Sequence, residues 1–277
     1  MRFVHAPILL SALALTACVA VVPEHVALTA QARAGITSTE AVLPISQGEL
    51  YIDVPASNVS AATGGGLLPA LIDAGIDSVR ASNAAKAVRP LNDAVVDFNF
   101  DTVLADEVRK SMAGADGVHV DTVRVIKDAS PASFDRALAA SKDGAVLLAI
   151  TNYHLANDGG SLWIEVHAGL YRSGAGPKPA GSGADSPSAP ANALYRNTFW
   201  YTINLPGASS NRDQNIALWS VDHGALLRTD LRRGALKLSE MMASDIQVID
   251  TPGATIVTNP GGSLERKPDG TEVFRAD

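Results

Sequence analysis

Two histidines are the best-spaced candidates for metal ligands in this chain. His154 and His167 flank Asn157-Asp158-Gly159-Gly160, whose residue types favour a tight turn between paired strands. A hairpin there would let the two imidazoles approach each other, and Asp158 or Glu165 could complete a divalent-metal site. The alternative, which we favour, is that both are ordinary residues on a partly solvated hairpin face. The six histidines include no HExxH motif and no close pair at helical spacing.

Motifs for nucleophilic catalysis and for cofactor binding are missing from the sequence. No GxSxG, Walker or GxGxxG pattern occurs. Gly181-Ser182-Gly183 lies in a low-complexity stretch, and the carboxylates of Asp106-Glu107 would point to different faces of a helix. The sequence therefore predicts no cofactor. It gives no support for an enzyme, although catalytic residues that are distant in sequence would leave no local motif.

Cys18 is the only cysteine, so the chain has no disulfide framework and no zinc site built from several cysteines. It closes the run Leu15-Thr16-Ala17-Cys18, which follows a positively charged Arg2 and an apolar segment from Ala6 to Leu15. The segment has signal-peptide length and is shorter than the ~20 residues of a membrane-spanning helix. This arrangement resembles a bacterial lipoprotein signal.

The resemblance implies cleavage before Cys18, a diacylglycerol thioether on its sulfur and an N-linked acyl chain such as palmitate. Two or more chains give durable membrane anchoring, at about 0.8 kcal/mol per buried methylene. Val19, rather than an aspartate, follows the cysteine. By resemblance to proteobacterial sorting, this implies the outer membrane, with the protein facing the periplasm. The alternative is an ordinary secretory signal that leaves Cys18 as a free thiol.

Aromatic side chains form one candidate partner-binding set. Trp163 and Tyr171 lie on the same side of an alternating strand, and Phe199 and Tyr201 lie on the next predicted strand. An exposed group of this kind is typical of a binding hot spot. Packing between sheet and helix is the alternative, and it is the default for large aromatic residues.

Basic side chains form a second candidate set. Arg228, Arg232 and Arg233 are clustered on a predicted helix of an otherwise acidic chain. They would suit an acidic partner or anionic lipid headgroups. The alternative is a solvated helix face that the helix dipole stabilises near its C-terminal half.

The composition is that of a globular domain with an aliphatic core. Of 277 residues, 47% are hydrophobic but only 5% are aromatic, so Ala, Val, Leu and Ile must fill the interior. The net charge of -7 opposes binding to nucleic acid, whose phosphates would be repelled. No later run is long and apolar enough for a second membrane segment.

The middle of the chain predicts a β-α-β unit. Val118 to Ile126 is rich in β-formers, and Ser130-Pro131 is an N-cap followed by a proline at the first helical position. Gly144 ends that helix. Ala145 to Ile150 is an apolar run typical of a strand covered on both faces. The crossover should be right-handed.

Three further elements follow this unit. A hairpin strand returns from Leu162 to Tyr171, and Tyr195 to Ile203 predicts another strand. A long helix is predicted to begin near Asp222, whose side chain can cap it. Its apolar face consists of Leu227, Leu231, Leu238 and Met242.

The N-terminal third has weaker patterns. Val19 to Ser46 is mixed and partly extended, and Gly48 to Pro55 predicts a short strand. Gly64-Gly65-Gly66 precedes a helix and has two interpretations. The glycines allow the backbone to approach a membrane surface or a second subunit closely, or they form a flexible hinge, which is the interpretation we favour. In the hinge interpretation, the residues that face the core are Leu68, Ile72, Ile76 and Val79. Pro90 is predicted to break that helix. A further helix places on one face Leu104, Val108 and Met112.

The predicted organisation has four parts. Residues 1–17 are a signal peptide, 18–96 a tether with a helical segment, 97–245 an αβ domain, and 246–277 a loosely held tail or small hairpin. A Gly-, Pro- and Ser-rich flexible loop covers residues 173–192. The predicted fold class is α/β, with a mixed sheet of four to five strands, helices packed on it and a long C-terminal helix.

The order of elements over roughly Asp97 to Asp245, together with the lipoprotein signal, is similar to a group of periplasmic envelope proteins. The group comprises the N-terminal domain of the Tol-system translocation protein, the curli secretion lipoprotein, and lipoprotein activators of penicillin-binding proteins. The resemblance implies a small αβ fold and an accessory role in the envelope. It covers no diagnostic functional motif, so no residue role is carried over.

These patterns predict a non-catalytic lipoprotein, anchored by Cys18, whose periplasmic domain binds another envelope protein. The alternative is a lipid-anchored hydrolase that uses a pocket containing His154 or His167. Ring assembly would need an extended amphipathic stretch for membrane strands, and the sequence shows none. The oligomeric state is left open.

Overall fold

The computed structural model describes residues 25–55, 67–174, 193–248, 255–259 and 261–277. The helices in these ranges are α1 (Ala30–Ala34), α2 (Leu67–Ala94), α3 (Phe100–Met112), α4 (Pro131–Ala140) and α5 (Arg212–Asp245). The strands are β1 (Thr39–Pro44), β2 (Tyr51–Ile52), β3 (Val120–Ile126), β4 (Ala145–Leu155), β5 (Ser161–Arg172), β6 (Tyr195–Asn204), β7 (Thr255–Asn259), β8 (Gly262–Arg266) and β9 (Glu272–Ala276). Cys18, Gly64-Gly65-Gly66 and residues 175–192 lie outside the described residues.

The described strands form one mixed sheet, in the order β3-β1-β4-β5-β6-β9-β8-β7, with β2 beside β4. β3, β1 and β4 run parallel, β4, β5 and β6 are antiparallel, and β9 returns parallel to β6. The predicted α/β class is therefore correct. The predicted four to five strands are too few, because nine strands of the sheet lie in the described ranges alone. The prediction missed β1 and β9 and gave a β7–β8 hairpin only as one alternative for the tail; these four strands are five or six residues long and lie among prolines and glycines.

The predicted β-α-β unit consists of β3, α4 and β4. Helix α4 begins as predicted: the Ser130 hydroxyl accepts a hydrogen bond from the Ser133 N–H at 3.3 Å, and Pro131 takes the first helical position. β1 lies between β3 and β4 and is parallel to both. The N-terminal region therefore contributes an internal strand to the unit.

The predicted hairpin is the long pair of β4 and β5, whose register runs from Ala145↔Arg172 to Leu155↔Leu162. The start of α5 holds its tip. The Arg212 guanidinium donates to the backbone and side-chain oxygens of Asn157, each at 2.6 Å, and the Trp219 indole donates to the Gly159 carbonyl at 2.9 Å. These bonds fix the hairpin end against the helix.

Helix α2 differs from the prediction in two respects. It continues through Pro90, where a break was expected. Pro90 and Lys86 are both exposed, so the Lys86 carbonyl, which lacks its usual N–H partner, remains open to water. Val79 was predicted to face the core but is 61% exposed. Among the side chains of α2 that the structure describes, from Asp77 onward, the buried apolar ones are Ala84, Val88 and Leu91; the predicted core residues Leu68, Ile72 and Ile76 lie outside them.

Helix α5 has two helical segments, separated by a non-helical stretch from Val221 to Gly224; the second begins next to the predicted start near Asp222, and the first was not predicted. The N-cap of the first segment is Asn211, whose side chain accepts from the Gln214 N–H at 3.2 Å. Asp222 is not a cap: with His223 and Gly224 it has positive φ, and these residues interrupt the helix. Beyond the interruption the predicted face is buried, at Leu227, Leu231, Leu238 and Met242. No helix in the described ranges has the length and hydropathy needed to cross a membrane.

The sheet separates two cores. Helices α2, α3 and α5 pack on one face, against the β4 and β5 side chains that include Leu147, Leu162 and Ile164. Helix α4 packs on the other face through Phe134, Ala137 and Leu138. Because successive side chains alternate across a strand, β4 supplies both cores. The intervening positions Val146, Leu148 and Ile150 face α4.

The N-terminal segment and the tail both join this sheet. Val26 pairs antiparallel with Arg196 at the start of β6, through N–H···O bonds of 2.8 and 2.9 Å. β7 and β8 form a small terminal hairpin, one of the two alternatives for the tail, and β9 extends it to β6. Strands from the predicted tether and tail are thus hydrogen-bonded to strands of the predicted αβ domain.

Candidate binding surface

The α4 face of the sheet has two halves. In one half, which we call the covered half, Val146, Leu148, Ile150 and Tyr171 lie under α4. The other half lies toward the β4–β5 hairpin, and we call it the open half. Its side chains on β4 and β5 belong to neither hydrophobic core. Large side chains that no core absorbs are candidates for recognition.

Four rings in the open half form what we call the aromatic patch: Tyr51, His154, Trp163 and Trp200. Strand pairing places them on one face, because Tyr51 is the register partner of His154 and His154 that of Trp163. Trp200 is paired with Glu165, two residues along β5 from Trp163. The patch therefore spans β2, β4, β5 and β6.

The rings contact each other as two pairs. Trp163 and Trp200 meet edge to face, with centroids 5.9 Å apart and planes at 85°. Tyr51 and His154 are stacked, with centroids 5.4 Å apart. Both arrangements are favourable for aromatic pairs. Tyr51 is 44% exposed, and the other three side chains are half-buried.

Two carboxylates give the patch a negative potential. Burial raises the pKa of Tyr51, and the charges of Asp53 and Glu165 raise it further. Burial lowers the pKa of His154, and the same two carboxylates oppose that shift. The His154 imidazole is therefore neutral at neutral pH, and its buried Nδ1 has no hydrogen-bond partner.

The hairpin does not bring the two predicted metal ligands together. His167 is paired with Ile150, four residues before His154, which puts the two histidines about 13 Å apart along the sheet. His167 instead bonds Glu165 at 2.8 Å and Thr198 at 3.0 Å. Among the described residues, no group of three or more metal-ligating side chains is assembled. The pairing of β4 and β5 therefore does not bring His154 and His167 within reach of one metal ion.

Of the predicted aromatic set, only Trp163 lies in the open half. Tyr171 shares its face, as predicted, but is 1% exposed under α4 and belongs to the covered half. Phe199 and Tyr201 face the opposite core and are fully buried. Tyr171 is therefore unavailable to a partner, because α4 packs over its end of β5.

The predicted basic set is engaged within the chain. Arg228 pairs with Asp97 and donates to the Ala94 and His223 carbonyls. The guanidinium of Arg232 lies 4.9 Å from the centre of the Phe98 ring, and Arg233 donates to the Gly261 carbonyl. Arg232 alone of the three is classed as exposed. These contacts hold α5 to neighbouring segments and do not form a free basic surface.

Two of the four patch rings were not predicted. Trp200 is two positions from Thr198 and Thr202 in a strand whose other side is strongly apolar, so alternation alone assigns it to the opposite face. Tyr51 lies in the predicted strand Gly48 to Pro55, but only its pairing with β4 brings it to His154. Strand alternation could have assigned Trp200 to this face from the sequence. The order of the strands, which brings Tyr51 beside His154, could not be read from the sequence.

A second polar centre, around Asp245 at the end of α5, is fully enclosed. Tyr195 and Asn197 each donate to its carboxylate at 2.9 Å, Arg266 donates at 3.1 Å, and His25 lies 3.6 Å away. Burial alone would raise the pKa of Asp245, but the hydrogen bonds from His25, Asn197 and Tyr195 outweigh it and lower that pKa. With 1% of its side chain exposed, this carboxylate connects structural elements.

The Asp245 centre and the aromatic patch lie at opposite ends of the sheet. The N-terminal segment enters at the first, where Val26 pairs with Arg196. Trp163 is the register partner of Thr202, six residues further along β6, about 20 Å away. Comparison of the chain with protein-family models and with curated proteins finds no match.

Proposed function

We propose that this chain is a lipid-anchored lipoprotein of the outer membrane, facing the periplasm, that binds another envelope component. The lipid on Cys18 sets its location, and the aromatic patch recognises the partner. Its action is that of an adaptor in envelope assembly, secretion or synthesis, as in the group of periplasmic proteins it resembles.

The observation that carries the proposal is the aromatic patch. Tryptophan and tyrosine dominate binding hot spots, because each combines a large apolar area with few rotatable bonds. Here Trp163 and Trp200 contact each other yet belong to neither hydrophobic core. A partner that covers them would bury apolar surface that folding leaves half-exposed.

The position of the patch supports the same proposal. Six residues lie between Cys18 and His25, so the seven steps from one to the other span at most about 25 Å. Since His25 and Val26 dock at the Asp245 end, the anchored chain would hold that end near the bilayer. The patch would then face away from the membrane, where a periplasmic partner can reach it.

The anchor is tested by Cys18→Ala. We expect the variant to move from the membrane fraction to the soluble periplasm, and intact-mass analysis of the wild type to show the lipid on Cys18. An unmodified thiol in the wild type would remove the anchoring half of the proposal. Membrane association that persists in the variant would assign attachment to another part of the chain.

The partner site is tested by affinity purification of the anchored full-length protein from detergent-solubilised envelopes, with quantitative mass spectrometry. We expect Trp163→Ala combined with Trp200→Ala to reduce the specific partner by about tenfold or more. The matched control is Asp135→Asn, on the exposed side of α4. Equal recovery with the double variant and the control would contradict binding through the patch.

A further inference from the structure

We propose that the aromatic patch binds a basic side chain, arginine or lysine, of its partner protein, with the cation placed between the indole pair and the carboxylates of Asp53 and Glu165. The inference rests on the proposed function for the identity of the surface. It adds the chemistry of the group that the surface takes.

The rings of the aromatic patch present the kind of surface that attracts a cation. Aromatic faces carry negative electrostatic potential, and tryptophan attracts a cation more strongly than the other aromatic side chains. Trp163 and Trp200 meet at 85°, so at least one indole face is not stacked against the other ring. The Trp163 indole N–H is already donated to Ser161 at 2.9 Å, which leaves its π system as the interacting group.

Negative charge lies beside the rings, on Asp53 and Glu165. Among the described residues, neither Asp53 nor Glu165 has a lysine or arginine within salt-bridge distance; the ion partner of Glu165 is His167. The fields of both carboxylates reach Tyr51 and His154. Asp53, which has no ion partner among the described residues, and Glu165, which is paired only with a histidine, lie beside aromatic faces and are complementary to a guanidinium or an ammonium group.

The basic groups described near the patch are engaged elsewhere or uncharged. Arg275 is paired with Thr202 in register and so lies on the same face, but its guanidinium is 3.4 Å from Glu265 on the neighbouring strand. His167 is held between Glu165 and Thr198. His154 is uncharged at neutral pH, because burial lowers its pKa. A cation from outside the chain would therefore meet attraction and little repulsion.

The three tryptophans allow a direct test. Trp219 is fully buried against the hairpin tip and serves as an internal reference for Trp163 and Trp200. The full-length lipoprotein, labelled with 5-fluorotryptophan in detergent micelles, would be titrated with N-acetyl-arginine amide and followed by fluorine NMR. The uncharged isostere N-acetyl-citrulline amide is the ligand control. Trp163→Phe and Trp200→Phe assign the signals.

We expect arginine amide to move the Trp163 and Trp200 signals saturably and to leave the Trp219 signal in place. Citrulline amide should move none of them. Glu165→Gln and Asp53→Asn should each weaken the response by about three- to tenfold. Asp135→Asn removes an exposed carboxylate elsewhere on the molecule and should leave the response unchanged. An unshifted Trp219 signal in each variant shows that the fold is intact.

Several outcomes would overturn the inference. They are no movement with arginine amide, equal movement with citrulline amide, or an unchanged response in both carboxylate variants. Movement by a neutral peptidoglycan fragment in place of arginine would assign the patch to a glycan. If the patch is needed for partner recovery but arginine amide does not bind, the chemistry proposed here fails while the proposed function stands. If arginine amide binds to the patch but the patch variants recover as much partner as the wild type, the cation chemistry stands and the proposed function fails.

Discussion

Two halves of one sheet face, built on the same two strands, have different side chains and different surroundings. In the covered half, Val146 and Leu148 of β4 and Tyr171 of β5 are buried under α4. In the open half, the same alternating positions carry His154, Trp163 and other polar or aromatic side chains that no helix core absorbs. The difference separates stability from recognition along a single pair of strands. Substitutions in one half should change folding, and substitutions in the other should change binding.

The largest expected effect is in the covered half. Phe134→Ala removes a fully buried ring of α4 and leaves a cavity against Val146 and Tyr171. We expect the free energy of unfolding to fall by about 3 to 5 kcal/mol, measured by urea denaturation followed by circular dichroism. A fall of less than about 1 kcal/mol would mean that packing of α4 on the covered half contributes little to stability.

Two buried carboxylates on α5 provide a second comparison, because Asp245 is fully hydrogen-bonded and Asp230 is not. Asp245→Ala removes the acceptor of Tyr195, Asn197 and Arg266. We expect a loss of about 3 kcal/mol in unfolding free energy at pH 7. Because the folded-state pKa of Asp245 is lowered, its contribution is present above the unfolded value near 3.8 and is lost as the pH falls through the lower, folded value. A pH-independent difference between the variant and the wild type would contradict this assignment.

Asp230, on the same helix, should behave in the opposite way. It is 3% exposed, its Oδ2 has no hydrogen-bond partner, and burial raises its pKa to about 6 against partial compensation by Arg233. The wild type should therefore lose stability as the pH rises from about 4 through 6. Asp230→Asn should gain about 2 kcal/mol above pH 6 and nothing below pH 4. Thermal unfolding at pH 4 and pH 7.5 measures both; a destabilised variant at pH 7.5 would refute the expectation.

The smallest stability effect is expected in the open half. Trp163→Ala removes a larger ring than Phe134→Ala, but this indole is half-buried and outside both cores. We expect a loss of about 1 kcal/mol or less in the same urea experiment. A loss as large as that of Phe134→Ala would show that the patch is part of the core and would remove the contrast between the halves.

Local patterns predicted the elements around this face well. Ser130-Pro131 is the start of α4, and the run from Ala145 to Ile150 is a strand covered on both faces. The alternation in β5 assigned Trp163, Glu165, His167 and Tyr171 to one side, and the register confirms it. These features depend on a few consecutive residues: a cap, a proline and the period of a strand.

Features that depend on distant contacts were not predictable. β1 is buried because β3 and β4 flank it, although Glu40 and Pro44 interrupt its apolar run. Helix α2 passes Pro90 because that position faces solvent. Trp200 and Tyr51 reach the patch through strand order, and Tyr171 leaves it because α4 packs there. Each outcome is set by tertiary neighbours, which no single segment encodes.

The central claim is that the open half of this face is the binding surface and the α4 side is not. Position-specific photo-crosslinking in cells tests it most directly, with benzoylphenylalanine placed at position 163 or 200 in the anchored full-length protein, or at position 135 on the outer side of α4. We predict one discrete crosslinked partner from positions 163 and 200, and none from position 135. The same adduct from position 135, or no adduct from either patch position, would contradict the claim.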